Sequence, residues 1–508
     1  MKNKEYDVNR DKIKSYLLLT FLILITFLVF NNIKKITKKN DEKIDFISQN
    51  DLRLKGNGEY SSGYDHGDIY SIDGMKISDE IDIIVDVPNT EKIETQSRFC
   101  GIPEFTSILG IEGFGEGGVI NQCYTTLHST ARESNIEARR GNDLQTTLHS
   151  KAQSVASKLL RENFPDTLCD GASVVIVLKD GTVICAAGSN CFSADEFNLN
   201  DTEMFPRTMC IDLTAENLCI GSSAKGITAA TFLLNNEDFD EEYSMYNTEF
   251  EDLSFFTHSG TTISNHDYWY PANYDNIVDY NTNLMSRNIG LKKALVFSSN
   301  TYFWKHALHL GLKNSYKKMD AIFNISKPIT TEINTIPAVS VDRDRLDYFF
   351  WGQDMSVSTV KLASMYNYAI SGEYYNPFYI TGVTTPDGEY IYKAKPEKIA
   401  EFNSKETELL KTGLSECFNS YCNNMWESTY SSYTDLIEDG RILAKSGTAE
   451  IVLNELTNHT RAMTILDEDK DVVCTAVIAV NRATNDCPIN DNLLFSILIQ
   501  TLESADIL

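Results

Sequence analysis

Ile220-Gly221-Ser222-Ser223-Ala224-Lys225-Gly226, running on as ITAATFLL to Leu234, is the stretch on which the reading of this chain turns. Small and apolar residues on successive turns predict a buried helix, and Gly221 places Ser222 at its start. Residues at i and i+3 share a helix face, so the Lys225 amine can reach the Ser222 hydroxyl. A serine hydroxyl is a poor nucleophile until a base takes its proton. A lysine can be that base once burial and neighbouring cations lower its pKa. The helix N-terminus also offers backbone N–H groups to a developing oxyanion. Ser222 is therefore the candidate nucleophile and Lys225 its base. The plainer reading is an N-cap serine.

Ser-x-x-Lys is short enough to recur by chance, and it does so at Ser315/Lys318 and Ser358/Lys361. Two more motifs follow in order: Ser298-Ser299-Asn300 and Lys445-Ser446-Gly447-Thr448. Ser298 and Asn300 fall between two helical patterns, GLKKALVF and TYFWKHALHLG, where polar side chains can point into a cleft. Lys445 sits in RILAKSGTAEIVL, which reads as a strand, and Gly447 would let a substrate backbone come close. Lys411-Thr412-Gly413 and Ser286-Arg287-Asn288 are decoys for these motifs, the first of them in a helical pattern. Ser315 lies in the charged run KNSYKKMD, which reads as solvated.

Around these motifs the chain is organised as follows. Residues 1–15 read as a cytoplasmic tail and 16–33 as a membrane anchor, built on the uncharged run YLLLTFLILITFLVF. Asn-Asn-Ile-Lys-Lys follows that run where a cleavage site would need small residues. Residues 34–65 are a polar linker, and 66–150 a small irregular domain. Residues 151–508 hold an α+β domain, with an antiparallel sheet flanked by helices. Its strands are expected from a hairpin at 172–188, turning at Lys179-Asp180-Gly181, and from 441–482. DNLLFSILIQTLES closes the chain as a helix capped by Asn or Asp. Residues 236–285, acidic and tyrosine-rich, read as a surface insertion.

The net charge of −27 argues against nucleic acid, which needs clustered Lys and Arg. The 11 cysteines include no Cys-x-x-Cys pair, so a zinc ribbon is not expected. Cys185 with Cys191, or Cys417 with Cys422, could bridge in an exported protein, or all could be buried thiols. His306 and His309 are three apart on a helical pattern, without a further ligand at metal spacing, and read as core or surface residues. Neither a metal nor a cofactor is expected.

Taken together, the motifs resemble the penicillin-binding proteins, which are peptidoglycan D,D-transpeptidases. The likeness extends past the motifs. GLKKALVFSSNTYFWKHALHLG is similar to the family's stretch around Ser-x-Asn, and FFWGQDMSVSTVKLASMYNYAISG to its Gly-Gln segment. GASVVIVLKDGTVICAAGSN is similar to its first hairpin, DLQTTLHSKAQSVASKLL to the helix before it, and HGDIYSIDGMKIS to the opening of the pedestal of its monofunctional, class B type. The chain departs from the family at Ile220, Ala224, His66 and Leu148-His149, and downstream of Thr448.

The resemblance implies a transpeptidase/beta-lactamase-like domain behind a pedestal (66–150) and one transmembrane helix. It implies that Ser222 attacks a D-Ala-D-Ala stem peptide while Lys225 takes its proton. Ser298 would relay a proton to the leaving amine beside Lys445, and Asn300 would bind substrate and Lys225. Ser446 and Thr448, flanking Gly447, would hold the substrate carboxylate. Beta-lactams would acylate the same serine. The implied setting is the outer face of a bacterial cytoplasmic membrane, beside a glycan-polymerising membrane partner. A catalytically degenerate scaffold and a beta-lactam-sensing receptor domain are the competing functions.

Overall fold

The computed structural model describes residues 66–86, 93–113, 118–127, 140–193, 211–265, 275–342, 344–423, 430–451 and 455–508. The expected tail, anchor and linker (1–65) lie outside the described residues, and among those described no helix is long and apolar enough to cross a membrane.

Two hairpins build the main sheet. Gly171–Leu178 (β1) and Val183–Gly188 (β2) pair antiparallel, with Gly181 at φ +89° in the turn between them. That left-handed value suits glycine, and the Asp180 carboxylate accepts from Thr182 N–H at 3.0 Å to close the turn. Ile442–Ile451 (β3), Leu456–Leu466 (β4) and Val472–Ala483 (β5) complete a five-stranded sheet in the order β3-β4-β5-β1-β2. Every pairing in it is antiparallel, so the expected α+β sheet is the one observed.

Both faces of this sheet are covered, which explains why the inner strand β1 and its neighbour β2 are largely apolar rather than alternating. Val174 and Ile176 pack with Ala152, Ala156 and Leu160 of Ser150–Asn163 (α1), and with the C-terminal helix. Val175 and Val177 face the opposite way and pack with Ile227 and Ala230 of Ala224–Leu233 (α2). Behind the site lie Leu291–Val296 (α3), Asn300–Leu310 (α4) and Leu312–Phe323 (α5). Thr359–Ser371 (α6) is buried all round, and Glu408–Asn423 (α7) packs against α3 and β3. Asp491–Ser504 (α8) opens on Asn490, whose side chain accepts from Leu493 N–H at 2.8 Å, as a capping asparagine should.

Residues on either side of position 150 share a second sheet. Ile69–Tyr70 pairs parallel with Asp143–Thr146, which pairs antiparallel with Ile380–Thr384. Arg140 adds a charge clamp there, reaching Asp68 at 2.5 Å and Asp143 at 2.8 Å.

Three expectations need correction or completion. The acidic stretch 236–285 is not merely a surface insertion. Phe250–Leu253, Leu284–Ile289 and Asn276–Asp279 form a small sheet, and its Asp252 is fully buried against Arg287. Ser315 is not solvated: it is fully buried on α5 and donates to Ala307 O at 3.1 Å, while Lys318 pairs with Asp238 at the surface. All described cysteines are free thiols, including Cys185, Cys191, Cys417 and Cys422.

Candidate active site

Three glycines let the motifs meet. Gly221 has φ +53° and opens the 3-10 turn Gly221–Ser223 that leads into α2. A Cβ on Gly221 would stand 2.3 Å from Thr448 O, and one on Gly447 2.1 Å from Ile220 O. A Cβ on Gly352, at φ +99°, would stand 1.7 Å from Gly221 O. Strand β3 therefore lies edge-on against the turn that carries Ser222. Gly447 is needed for that contact, a different reason from the substrate approach expected from the sequence. Tyr366 on α6 holds the turn from behind by donating to Ser223 O at 2.6 Å. Ser223 itself bonds Thr460 of β4 at 2.7 Å.

Lys225 stands at the centre and is fully buried. Its Nζ lies 2.6 Å from Ser222 Oγ, 2.7 Å from Asn300 Oδ1, 2.7 Å from Ser298 O and 3.1 Å from Ser298 Oγ. Burial holds its pKa well below the ordinary lysine value, and the nearby charge of Lys445 pushes the same way. A neutral amine has two N–H donors and one lone pair. The Ser298 carbonyl and Asn300 Oδ1 only accept, so they take the two N–H groups. The lone pair is left for the hydroxyl proton of Ser222. In its neutral form Lys225 is thus placed to accept a proton from Ser222.

Lys445, also fully buried, reaches Ser298 Oγ at 3.2 Å from the other side. Ser298 therefore bridges two lysines. Ser222 and Ser298 are half-buried and Thr448 is exposed, so the cluster is reachable from solvent. Thr448 Oγ1 lies 3.4 Å from His459 Nδ1 on the neighbouring strand. His459 is pushed down to about 4 by burial and by Arg461, so it is neutral near pH 7. All eight candidate residues, Ser222, Lys225, Ser298, Asn300, Lys445, Ser446, Gly447 and Thr448, are thus brought to one place.

Sequence reasoning missed several of their supports. The Tyr421 hydroxyl meets Ser446 Oγ at 2.9 Å and Ser446 N at 3.1 Å, and its ring stacks on Phe495. The signal was a tyrosine in the apolar stripe Leu410, Leu414, Cys417, Tyr421, since a buried phenol needs a partner. Arg461 donates to Gly447 O at 2.9 Å and pairs with Asp491 at 2.5 Å, tying β3 to α8. Two of the look-alikes stand apart: Ser358 caps α6, and Lys411 lies within α7. His306 is buried among Phe232, Phe250 and Tyr302, and no cluster of metal-binding side chains occurs among the described residues.

Residues 255–493 match the family model described as the penicillin binding protein transpeptidase domain. The match takes in the second and third motifs and begins after Ser222. No curated protein matches the chain by sequence. Among solved structures, the D,D-transpeptidase domain of a peptidoglycan glycosyltransferase from Eggerthella lenta superposes with a TM-score of 0.65 at 17% identity, covering 87% of this chain and 98% of that one. Penicillin-binding protein 3 from Mycobacterium tuberculosis, complexed with aztreonam, gives 0.65 at 13% identity, covering 87% and 97%. Penicillin-binding protein A from M. tuberculosis, as a penicillin G acyl-enzyme complex, gives 0.65 at 14% identity, covering 87% and 100%.

Proposed function

We propose that this chain, whose residues 255–493 match the penicillin binding protein transpeptidase domain, is a serine D,D-transpeptidase that cross-links peptidoglycan stem peptides through an acyl-enzyme on Ser222. The observation that carries this reading is the 2.6 Å contact between Ser222 Oγ and a lysine whose N–H groups are already committed.

Ser222 Oγ attacks the carbonyl of the penultimate D-alanine as Lys225 takes its proton. The developing oxyanion is received by the backbone N–H groups of Ser222 and Thr448. The C–N bond breaks, and the proton passes from Lys225 through Ser298 Oγ to the departing D-alanine amine. Lys445 supports that relay electrostatically from 3.2 Å. Ser446 and Thr448 hydrogen-bond the terminal carboxylate. An acceptor amine, or water, then attacks the ester and loses its proton to Lys225, and Ser222 recovers its own. A beta-lactam enters the same path and stops at the ester. The chain acts from a membrane anchor at 16–33, with its catalytic part outside the cytoplasmic membrane, beside a partner that polymerises glycan.

The test is to incubate the full chain with a stem pentapeptide ending in D-Ala-D-Ala and an acceptor stem peptide, beside Ser222→Ala. Release of D-alanine by the wild type only is the expected result, and the mass of the product separates cross-linking from hydrolysis. Release that survives in Ser222→Ala would overturn the assignment.

A further inference from the structure

Ser298 is a non-glycine residue at φ +52°. Such a left-handed conformation is strained for a residue with a Cβ and persists only where its surroundings enforce it. Here it serves an end: it turns both the carbonyl and the hydroxyl of Ser298 toward Lys225, at 2.7 and 3.1 Å. The enforcing contacts begin one residue later. Ser299 and Thr301 each donate a hydroxyl to the same oxygen, Asp252 Oδ1, at 2.6 Å. Ser299 Oγ also accepts from Tyr302 N–H, capping α4. Asp252 Oδ2 is gripped by Arg287 Nε at 2.9 Å and Nη2 at 2.8 Å.

A second contact comes from the same segment. Asn265 Oδ1 accepts from Asn300 N–H at 2.6 Å and Thr301 N–H at 3.1 Å, and Ser264 O accepts from Asn300 Nδ2 at 2.9 Å. Asn300 is thereby left with Oδ1, not its NH2, aimed at Lys225. The residues of this shelf are almost wholly shut from solvent: Asp252, Ser299 and Thr301 are 0% exposed and Arg287 2%. Burying an ion pair costs several kcal/mol in desolvation, and an apolar pair of the same volume would hold a core as well. The shelf is better explained by what it orients.

We propose that Asp252, held by Arg287, is the positioning residue of this site, setting Ser298 and Asn300 against Lys225 through the hydroxyls of Ser299 and Thr301. The strands Phe250–Leu253 and Leu284–Ile289, which carry Asp252 and Arg287, then support the catalytic groups. This rests on the transpeptidase reading above. A positioning residue acts on the chemical step and leaves the substrate-binding strand β3 alone.

The experiment measures uptake of a fluorescent penicillin by the full-length chain across penicillin concentrations, separating Kd from the acylation rate k2, with melting temperature as a check on folding. Asp252→Asn and Thr301→Val are expected to lower k2 by about 10- to 100-fold with Kd within about threefold, the scale of a small misplacement of reacting groups. Thr301→Ser keeps the hydroxyl and should hold k2 within about threefold of wild type. If Asp252→Asn does not fold, the Thr301→Val and Thr301→Ser pair decides alone. Folded variants with unchanged k2, equal losses in Thr301→Val and Thr301→Ser, or a loss confined to Kd would overturn the positioning role only. A folded wild type that takes up no penicillin would overturn the transpeptidase reading and this inference with it.

Discussion

Ser222 with Lys225 and Ser358 with Lys361 are the same motif twice. Each pair stands where a helix begins, and both lysines are fully buried. Only in the first pair do the two side chains meet. Ser358 has extended backbone (φ −74°, ψ 153°) and is the N-cap of α6, so its Oγ accepts from Lys361 N–H at 3.4 Å. Lys361 Nζ turns away and donates to Lys327 O at 2.8 Å. Ser222 lies instead inside the 3-10 turn that Gly221 permits, one residue before the helix-start position, which falls to Ser223. Its hydroxyl is spared from capping and is free to meet the amine. The surroundings differ too: Lys445 faces Lys225, whereas the charged neighbour of Lys361 is Asp320. Spacing brings a serine and a lysine to one helix end, and the backbone just before it decides whether the serine hydroxyl caps the helix or meets the lysine amine.

The comparison breaks most readily at the lysines. Lys225→Met should slow penicillin acylation by about 10²- to 10⁴-fold, the usual worth of a general base. Lys361→Met should leave that rate within about threefold of wild type. Equal losses would mean that the two pairs are not chemically distinct. The next effect is on stability. Burial pushes the Lys361 pKa down to about 8, below the ordinary lysine value. Between those two pH values the unfolded chain holds a proton that the folded one has lost, so stability rises with pH there. Below about pH 8 both states are protonated and the cost of burying the charge is fully present. Urea midpoints at pH 7 and 9.5 should show Lys361→Met lacking that part of the rise, and identical slopes would place Lys361 in a wetter site than the structure gives it. The smallest effect is at the cap. Ser358→Ala should cost about 1 kcal/mol, read as a lower urea midpoint, with acylation unchanged.

Local signals in the sequence were enough for the elements that carry the motifs. The hairpin about Gly181, the strand around Lys445 and the helix start after Gly221 all announce themselves by apolar pattern and turn residues. The charged run around Ser315 reads as solvated, yet Ser315's own face of α5 is buried. What could not be read was support from far along the chain. Asp252 meets Ser299 from 47 residues away, and Tyr421 meets Ser446 from 25. An acidic run looks like surface because most Asp and Glu side chains are exposed, and one buried aspartate leaves no periodic trace. Gly447 was legible as a close approach, but its partner, Ile220 O, was not.

The most direct measurement is to react the full-length chain with a penicillin, digest it, and locate the adduct by mass spectrometry. The account predicts one adduct, on the peptide that contains Ser222. An adduct on the Ser358 or Ser315 peptide, or none on a folded chain, would contradict it.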